Sequence, residues 1–241
     1  MLTRSDSALS TDITIRIMGK DGAVTPTTVA VSEAYNFGYA GRDQESVQEH
    51  IEQIRALGLP APQQVPAIFS IPPNRITVAT EQIVSGDDTY GEVEFALINT
   101  AEYGWLITIA SDHTDLEVEK VNMAKAKAMC PDVIGADAWR LDEVAEQWDR
   151  CIITMWAQSD GGERIQLQHD TAGQLLAPHD LIAVLTERRG GEPPAGTVVM
   201  SGTIVGEPTP GMAAWSAQLE DPESGRRLEL SYSLQRLDEE I

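Results

Sequence analysis

Two apolar runs, each dense in β-branched and aromatic side chains, constrain the fold of this chain more than any other feature. They cover residues 92–98 and 105–110, and residue types of this kind favour β-strands. A third segment indicates the same class of structure, because Ile13, Ile15 and Ile17 alternate with polar residues, as in a half-buried strand. The sequence therefore predicts a mostly β protein.

Helical periodicity is confined to a few segments. Val47, Ile51 and Ile54 recur at helical spacing. Further elements are predicted as strands at 28–31, 76–78, 151–157, 164–167, 198–201 and 228–234, and as helices at 44–57, 115–128, 141–147 and 175–185. Neither a repeat nor a linker divides the chain, so we expect one α+β domain over residues 1–241, mostly β, with an N-terminal hairpin region at residues 1–35.

The net charge excludes several classes of partner. The chain has 17 Lys and Arg residues against 38 Asp and Glu residues, which gives a net charge of −21. Such a surface repels phosphate backbones and anionic membranes, so we expect neither a nucleic acid nor a membrane as partner. We also expect a cytoplasmic protein, because the sequence has no signal peptide, no apolar stretch of about 18 residues and only two cysteines, Cys130 and Cys151.

Acidic residues interrupt the first apolar run in a regular way. Alternate side chains of a strand share a face, so Glu92 and Glu94 lie on one face while Val93 and Phe95 lie on the other. Two adjacent carboxylates repel each other, and a divalent cation removes that repulsion. Asp112 follows the second run and would supply a third carboxylate if the two strands lie side by side. Three carboxylate ligands suit a hard ion such as Mg²⁺ or Mn²⁺.

The same acidic residues also have an ordinary structural interpretation. A Glu-x-Glu pair on a strand is most often a solvated face, and Asp112 would serve equally well as a turn or cap residue. An ordinary half-buried strand also explains the flanking apolar runs. A metal site is therefore one of two interpretations that the residues allow.

Several short segments follow the order of the motifs of one protein superfamily. Glu-Val-Glu-Phe-Ala at 92–96 is similar to a Glu-x-Glu-Leu-Ala metal motif, and Asp112 sits where that superfamily has a third acidic ligand. Lys127 precedes a Cys-Pro step, near the position of an active-site lysine. Residues 162–171 and 196–203 are similar to two further motifs. Over residues 37–203 the chain thus resembles the fumarylacetoacetate hydrolase superfamily.

This resemblance implies a fold, a cofactor and a chemistry. Members of the superfamily have a mixed-strand β-roll, which would cover residues 36–241 here, and they are usually homodimers. They bind Mg²⁺ or Mn²⁺ and cleave, decarboxylate or tautomerise small 2-oxo acids. Lys127 would hold an oxyanion, and Thr203 would contact the substrate carboxylate. The implied metal ligands are Glu92, Glu94 and Asp112.

The chain departs from the superfamily pattern around the catalytic base. The usual histidine follows an Asn-Tyr pair, whereas residues 36–43 here read Asn-Phe-Gly-Tyr-Ala-Gly-Arg-Asp, and the first histidine is His50. His50, oriented by Glu52, is our candidate base because imidazole titrates near neutral pH. Arg42 has two possible roles: it occupies the usual position of the histidine, or it clamps the substrate carboxylate. His113 is a competing candidate for the base, or a contact to the substrate or to a ligand carboxylate.

The expected activity follows from the resemblance. We expect hydrolytic cleavage of a C–C bond in a small acylpyruvate-like 2,4-dioxo acid, carried out by a homodimer. Decarboxylation or keto–enol tautomerisation of a 2-oxo acid at the same metal is the alternative reaction. A protein that binds a metal or a small ligand without catalysis is the alternative from another class.

Overall fold

Strands dominate the part of the chain that the computed structural model describes, residues 10–56 and 61–237. The strands are β1 (Thr11–Met18), β2 (Val24–Val31), β3 (Glu33–Gly38), β4 (Ala67–Ile71), β5 (Ile76–Thr77), β6 (Glu81–Ser85), β7 (Thr89–Thr100), β8 (Gly104–Asp115), β9 (Asp132–Ile134), β10 (Asp137–Arg140), β11 (Ile152–Gln158), β12 (Arg164–Thr171), β13 (Thr197–Met200), β14 (Ala214–Asp221) and β15 (Arg226–Leu237). The α-helices are α1 (Gln44–Ala56), α2 (Leu116–Glu119), α3 (Met123–Met129) and α4 (Pro178–Arg189).

Ten strands form one mixed sheet. Eight of them lie side by side in the order β2-β1-β10-β8-β7-β13-β3-β4. Strand β9 also pairs with β8, and β5 pairs with β9. The longest pairing joins β7 to β8 in antiparallel register, from Thr89 opposite Asp115 to Thr100 opposite Gly104. The pairs β1–β10 and β13–β3 are parallel. The two apolar runs of the sequence are therefore neighbours at the centre of this sheet.

The large sheet curls around an apolar core of its own. Ile15 of β1, Ile71 of β4 and Ile98 of β7 belong to one buried cluster although their strands lie far apart in the sheet. Because side chains alternate along a strand, the face of β7 that carries Ile98 also carries Glu94 and Glu92. The two glutamates therefore point into the curl.

Five strands form a second sheet in the order β12-β11-β14-β15-β6. A larger apolar core combines side chains of both sheets, such as Phe95 and Ile109 from the large sheet and Ile153 from the small one. Trp148, between β10 and β11, is fully buried in this core, and its ring lies edge-on at 4.7 Å from that of Phe95. The central strands β7 and β8 thus separate two cores.

The predicted mostly β, α+β fold is confirmed, and the details differ where local signals were weak. The helix predicted at 115–128 is two helices, because the Asn122 side chain accepts a hydrogen bond from the Lys125 amide and starts α3. The helix predicted at 141–147 contains only a 3-10 turn at Leu141–Glu143. Strands β3, β4, β6, β9, β10 and β14 were not predicted at all.

Cys130 and Cys151 are buried free thiols. Within the described residues, no helix combines the length and the hydrophobicity that crossing a membrane requires.

Truncation of Trp148 tests the core between the sheets. We expect Trp148→Ala to lower the free energy of unfolding by about 3–5 kcal/mol, because it leaves a cavity beside Phe95. Trp156→Ala is the matched control, since that indole is only half-buried and lies under the Arg164 guanidinium on the outer face of β11. Urea denaturation should show less than half the loss for the control. Equal losses would contradict this packing.

Candidate metal centre

The pairing of β7 with β8 builds the acidic site. Glu92 lies directly opposite Asp112 in the antiparallel register, and Glu94 follows Glu92 on the same face. One carboxylate oxygen from each of these three residues lies within 4.8 Å of the other two. Both strands are long and central in the sheet, so the three side chains are held on a rigid frame.

Burial makes this arrangement costly without a cation. Glu94 and Asp112 are fully buried, whereas the Glu92 side chain keeps 19% of its surface exposed. Burial raises the pKa of Glu92 to about 7, although the nearby Lys127 ammonium lowers it. Burial, and then the charge of Asp112, raises the pKa of Glu94 well above its usual range. The site therefore favours a bound positive charge.

Lys127 supplies one positive charge from within the chain. Helix α3 places its side chain inside the cluster, where it is almost fully buried. Its ammonium group donates a hydrogen bond to Asp112 Oδ2 and lies 3.6 Å from Glu92 Oε2. Burial alone would lower the pKa of Lys127, but the surrounding carboxylates raise it well above its usual value. The carboxylates therefore favour the charged form of Lys127.

Two contacts fix the deepest carboxylate. The backbone amide of Gly202 donates to Glu94 Oε2 at 2.9 Å, and the Asn36 side-chain amide lies 3.5 Å from Glu94 Oε1. Gly202 has a φ of +80°, and a Cβ atom there would lie 2.7 Å from the Phe37 carbonyl oxygen. Only glycine fits this position, which follows β13.

The donor set fits Mg²⁺ or Mn²⁺. All three candidate ligands are carboxylates, the oxygen donors that hard divalent ions prefer. Asp112 Oδ1 is buried and has no hydrogen-bond donor among the described residues. A buried acceptor without a donor is costly unless a cation or a water molecule satisfies it. A metal ion bound among these residues would remove that cost.

A fourth buried carboxylate, that of Asp132, was missed by the sequence analysis. It lies on β9 directly opposite Asp112, and neither of its oxygens has a hydrogen-bond donor among the described residues. Burial, and then the charges of Asp112 and Glu94, raises the pKa of Asp132 well above its usual value. Strand β9 has only three residues, so no periodicity in the sequence could have revealed which way Asp132 points.

His113 does not join the acidic cluster. It follows Asp112 on β8, so its side chain lies on the other face of the sheet, where it is fully buried in the core between the sheets. Its Nδ1 lies 3.0 Å from the Tyr232 hydroxyl, and burial lowers its pKa to about 4. This placement corrects the expectation that His113 contacts substrate beside Asp112.

Arg42 and Thr203 are engaged elsewhere. The Arg42 guanidinium donates two hydrogen bonds to Asp149, at 2.6 and 2.7 Å, and one to the Leu175 carbonyl oxygen. Thr203 donates from its hydroxyl to the Val93 carbonyl oxygen at 2.8 Å, next to the two glutamates of β7. The structure therefore brings Thr203, but not Arg42, to the strand that carries the site.

The remaining candidates lie on α1. Glu52 is exposed on this helix, and the side chain of His50 lies outside the described residues.

Tyr39 and Glu119 lie at the rim of the site and were also not predicted. Tyr39 has a φ of +58°, which is rare for a residue other than glycine and is typical of functional positions. Burial, and then the charge of Glu119, raises the pKa of Tyr39, whereas the Lys127 ammonium lowers it. Glu119 accepts a hydrogen bond from the Tyr90 hydroxyl at 2.8 Å.

Comparisons with known proteins agree with this fold. The family model described as protein of unknown function DUF2848 matches residues 37–232. The hexagonal crystal form of 2-keto-3-deoxyarabinonate dehydratase has a TM-score of 0.62 and 17% identity, over 89% of this chain and 77% of that one. Cg1458 has a TM-score of 0.58 and 14% identity, over 94% of this chain and 89% of that one.

A third solved structure is similar to the same degree. The 2-keto-3-deoxy-D-arabinonate dehydratase complexed with magnesium and 2,5-dioxopentanoate has a TM-score of 0.61 and 18% identity, over 89% of this chain and 77% of that one. None of the curated protein sequences matches. The solved neighbours belong to the fumarylacetoacetate hydrolase superfamily, as the sequence motifs indicated. The chain therefore belongs to the DUF2848 family and has the fold of the fumarylacetoacetate hydrolase superfamily.

Proposed function

We propose that this protein is a divalent-metal-dependent enzyme that cleaves a C–C bond of a small acylpyruvate-like 2,4-dioxo acid by hydrolysis. The observation that carries the proposal is the acidic cluster, in which Glu92, Glu94 and Asp112 meet within 4.8 Å beside the buried Lys127 ammonium. A solvated face of a strand does not account for two fully buried carboxylates. A cation site does.

The structural neighbours support the substrate class. One of them is complexed with magnesium and 2,5-dioxopentanoate, which is a small 2-oxo acid. That protein and this one share a fold at 18% identity, and both the ion and the type of ligand suit the donor set described above. We therefore propose a small 2-oxo acid as the substrate and Mg²⁺ or Mn²⁺ as the cofactor.

The position of each residue in the site suggests its role in the proposed reaction. Glu92, Glu94 and Asp112 would hold the ion, which acts as a Lewis acid toward the negative charge that develops on the substrate keto group. Glu92 keeps 19% of its side-chain surface exposed, so substrate would approach the ion from this side. Lys127 would stabilise an oxyanion, since its charge is already fixed in the site.

A base is also required for hydrolysis. A water molecule must lose a proton as it attacks the distal carbonyl, and the products are then a carboxylic acid and a 2-oxo acid. We assign this base to His50, because imidazole titrates near neutral pH. The expected orientation of His50 by Glu52 is not kept, because positions two apart on helix α1 do not face each other. Helix α1 carries both residues and begins six residues after β3. Strand β3 reaches the acidic cluster, because its Asn36 side-chain amide lies 3.5 Å from Glu94 Oε1.

Dehydration of a 2-oxo-3-deoxy sugar acid is the second candidate reaction. It is favoured by the identity of the similar structures, since two of the three described above are a 2-keto-3-deoxyarabinonate dehydratase. Decarboxylation and keto–enol tautomerisation need the same ion and the same oxyanion contact. The products distinguish these reactions, because only hydrolysis consumes a water molecule and releases a carboxylic acid together with a 2-oxo acid.

A substrate panel tests the proposed reaction. We expect turnover of at least one 2,4-dioxo acid, measured as loss of ultraviolet absorbance of the enol, in a panel that includes oxaloacetate and a 2-oxo-3-deoxy sugar acid. Excess EDTA should abolish turnover and Mg²⁺ should restore it, because the ion supplies the Lewis acid. Turnover that is insensitive to the chelator would contradict the mechanism.

Neutralising one ligand tests the metal site without any substrate. We expect Glu92→Gln to weaken Mn²⁺ binding by a factor on the order of 100, measured by calorimetric titration, because one of three anionic ligands is lost. This side chain is the least buried of the three, so the fold should remain intact. Glu117→Gln, at an exposed position of α2, is the control and should bind Mn²⁺ as the wild type does.

Lys127→Met separates metal binding from catalysis. We expect kcat to fall by about 100- to 1000-fold, because the oxyanion loses its donor. Mn²⁺ affinity should stay the same or increase, since the ammonium repels a dication at the same carboxylates. Calorimetric titration and kinetics measure the two effects. A fall in affinity that parallels the fall in kcat would show that Lys127 only maintains the structure.

A further inference from the structure

Glu119 is an acidic side chain at the rim of the site to which the proposed function assigns no role. It is the last residue of α2, the short helix that follows β8. The Asp115 side chain caps this helix by accepting a hydrogen bond from the Val118 amide at 2.9 Å. The Leu116 amide donates to the Asp88 carbonyl oxygen at 2.9 Å, just before β7 begins. Helix α2 is therefore held against the strand that carries two of the candidate ligands.

A hydrogen bond from β7 fixes the Glu119 carboxylate. Tyr90 lies two residues before Glu92 on this strand, so the two side chains share a face of the sheet. The Tyr90 hydroxyl donates to Glu119 Oε2 at 2.8 Å. Burial, and then the charges of Glu92 and Glu119, raises the pKa of Tyr90, so this hydroxyl keeps its proton and remains a donor. Glu119 thus has a defined place beside the candidate ligands.

This place is on the solvent side of the candidate ligands. Glu92 is the one candidate ligand that keeps exposed surface, and Glu119 is itself half-buried. Burial raises the pKa of Glu92 most, and the charge of Glu119 is among the effects that raise it further. A substrate that approaches the proposed ion past Glu92 would therefore lie beside the Glu119 carboxylate.

Tyr39 lies at the same rim, between Glu119 and Lys127. Burial and the charge of Glu119 raise the pKa of Tyr39, and the Lys127 ammonium lowers it, so both charged groups act on the Tyr39 hydroxyl. The rim therefore combines a cation that can stabilise an oxyanion with a carboxylate that can accept or donate a proton.

All the reactions considered for this site require proton transfer at the same carbon atom of the substrate. Lys127 would stabilise an enolate, whose negative charge is shared between the keto oxygen and the neighbouring carbon C3. Hydrolysis and decarboxylation break a C–C bond at C3 and leave its electron pair there, so C3 must then gain a proton. Tautomerisation and dehydration remove a proton from C3. A proton-transfer group is therefore needed near the keto group.

We propose that Glu119 transfers the proton at C3 of the bound 2-oxo acid and that Tyr90 positions it. In hydrolysis, the acyl carbon gains the hydroxyl of water, the bond from C3 to the acyl carbon breaks, and the Glu119 carboxyl group donates a proton to C3. His50 takes the proton of the attacking water and releases it to solvent, and Glu119 regains a proton from solvent, so one water molecule is consumed. This inference rests on the proposed function and adds a second proton-transfer residue to it.

Hydrogen exchange into pyruvate tests this step without the natural substrate. Pyruvate has no acyl group to lose, and in heavy water its methyl protons, which are those of C3, exchange through the enolate. We expect the Mg²⁺-loaded wild type to exchange them, measured as loss of the methyl proton NMR signal above the rate with excess EDTA. Glu119→Gln should slow this exchange by about 100- to 1000-fold, because an amide does not accept the proton.

Binding measurements and matched variants separate proton transfer from site integrity. Oxalate resembles the pyruvate enolate in shape and charge. Calorimetric titration of Glu119→Gln with Mn²⁺ and then oxalate should give affinities within about fivefold of the wild type, since a partly exposed charge contributes little. Glu117→Gln, at an exposed position of the same helix, should exchange pyruvate at the wild-type rate.

The role of Tyr90 is tested by removing its hydroxyl alone. Tyr90→Phe should slow the exchange at saturating pyruvate by about tenfold and leave the KM for pyruvate and the affinity for oxalate unchanged, because Glu119 loses the hydrogen bond that positions it. Glu119→Asp, which keeps a carboxylate, should exchange pyruvate faster than Glu119→Gln does.

The outcomes distinguish this inference from the proposed function. Exchange by Glu119→Gln at the wild-type rate would overturn the inference, and so would a loss of exchange that parallels a loss of oxalate affinity. A wild type that cleaves a 2,4-dioxo acid but exchanges no pyruvate would also overturn it and leave the proposed function intact. Exchange that depends on Glu119, without turnover of any 2,4-dioxo acid, would support the inference and contradict hydrolysis. A protein that binds no ion would overturn both.

Discussion

Repulsion among like charges inside the large sheet is the constraint on which the rest of this structure depends. Isolated carboxylates could turn toward water, but the register of β7 and β8 holds Glu94 and Asp112 in the interior. Burying such groups is costly, and the cost is tolerable only with positive charge close by. The Lys127 side chain and the amide of Gly202 provide part of that compensation. The remaining part would come from the cation proposed above.

The two cores explain how the fold holds this arrangement in place. Every second residue of β7 and β8 packs between the sheets, as Phe95 and Ile109 do. The intervening residues point into the curl, where the apolar cluster around Ile98 borders the acidic side chains. Neither strand can shift by one residue without moving apolar side chains onto the acidic face and acidic side chains into the core. Packing on one face therefore fixes the chemistry on the other.

Sequence reasoning reached the ligands that lie on long, regular strands and failed where the information is not local. Alternation in residues 92–98 predicted the shared face of Glu92 and Glu94. The same rule would have placed His113 on the opposite face from Asp112, but the predicted strand ended at residue 110, whereas β8 continues to Asp115. Asp132 could not be found, because its three-residue strand is defined only by pairing with β8 and β5. Contacts from Asn36 and Gly202 depend equally on distant strands.

The position of the Lys127 ammonium has a consequence for how the protein is made in a cell. The Lys127 ammonium lies among the carboxylates and offsets part of their repulsion. The chain can therefore complete the curled sheet without a metal ion. If the proposed ion binds here, it would do so after the chain has folded. The supply of dications would then limit the occupancy of the proposed site more than the completion of the fold.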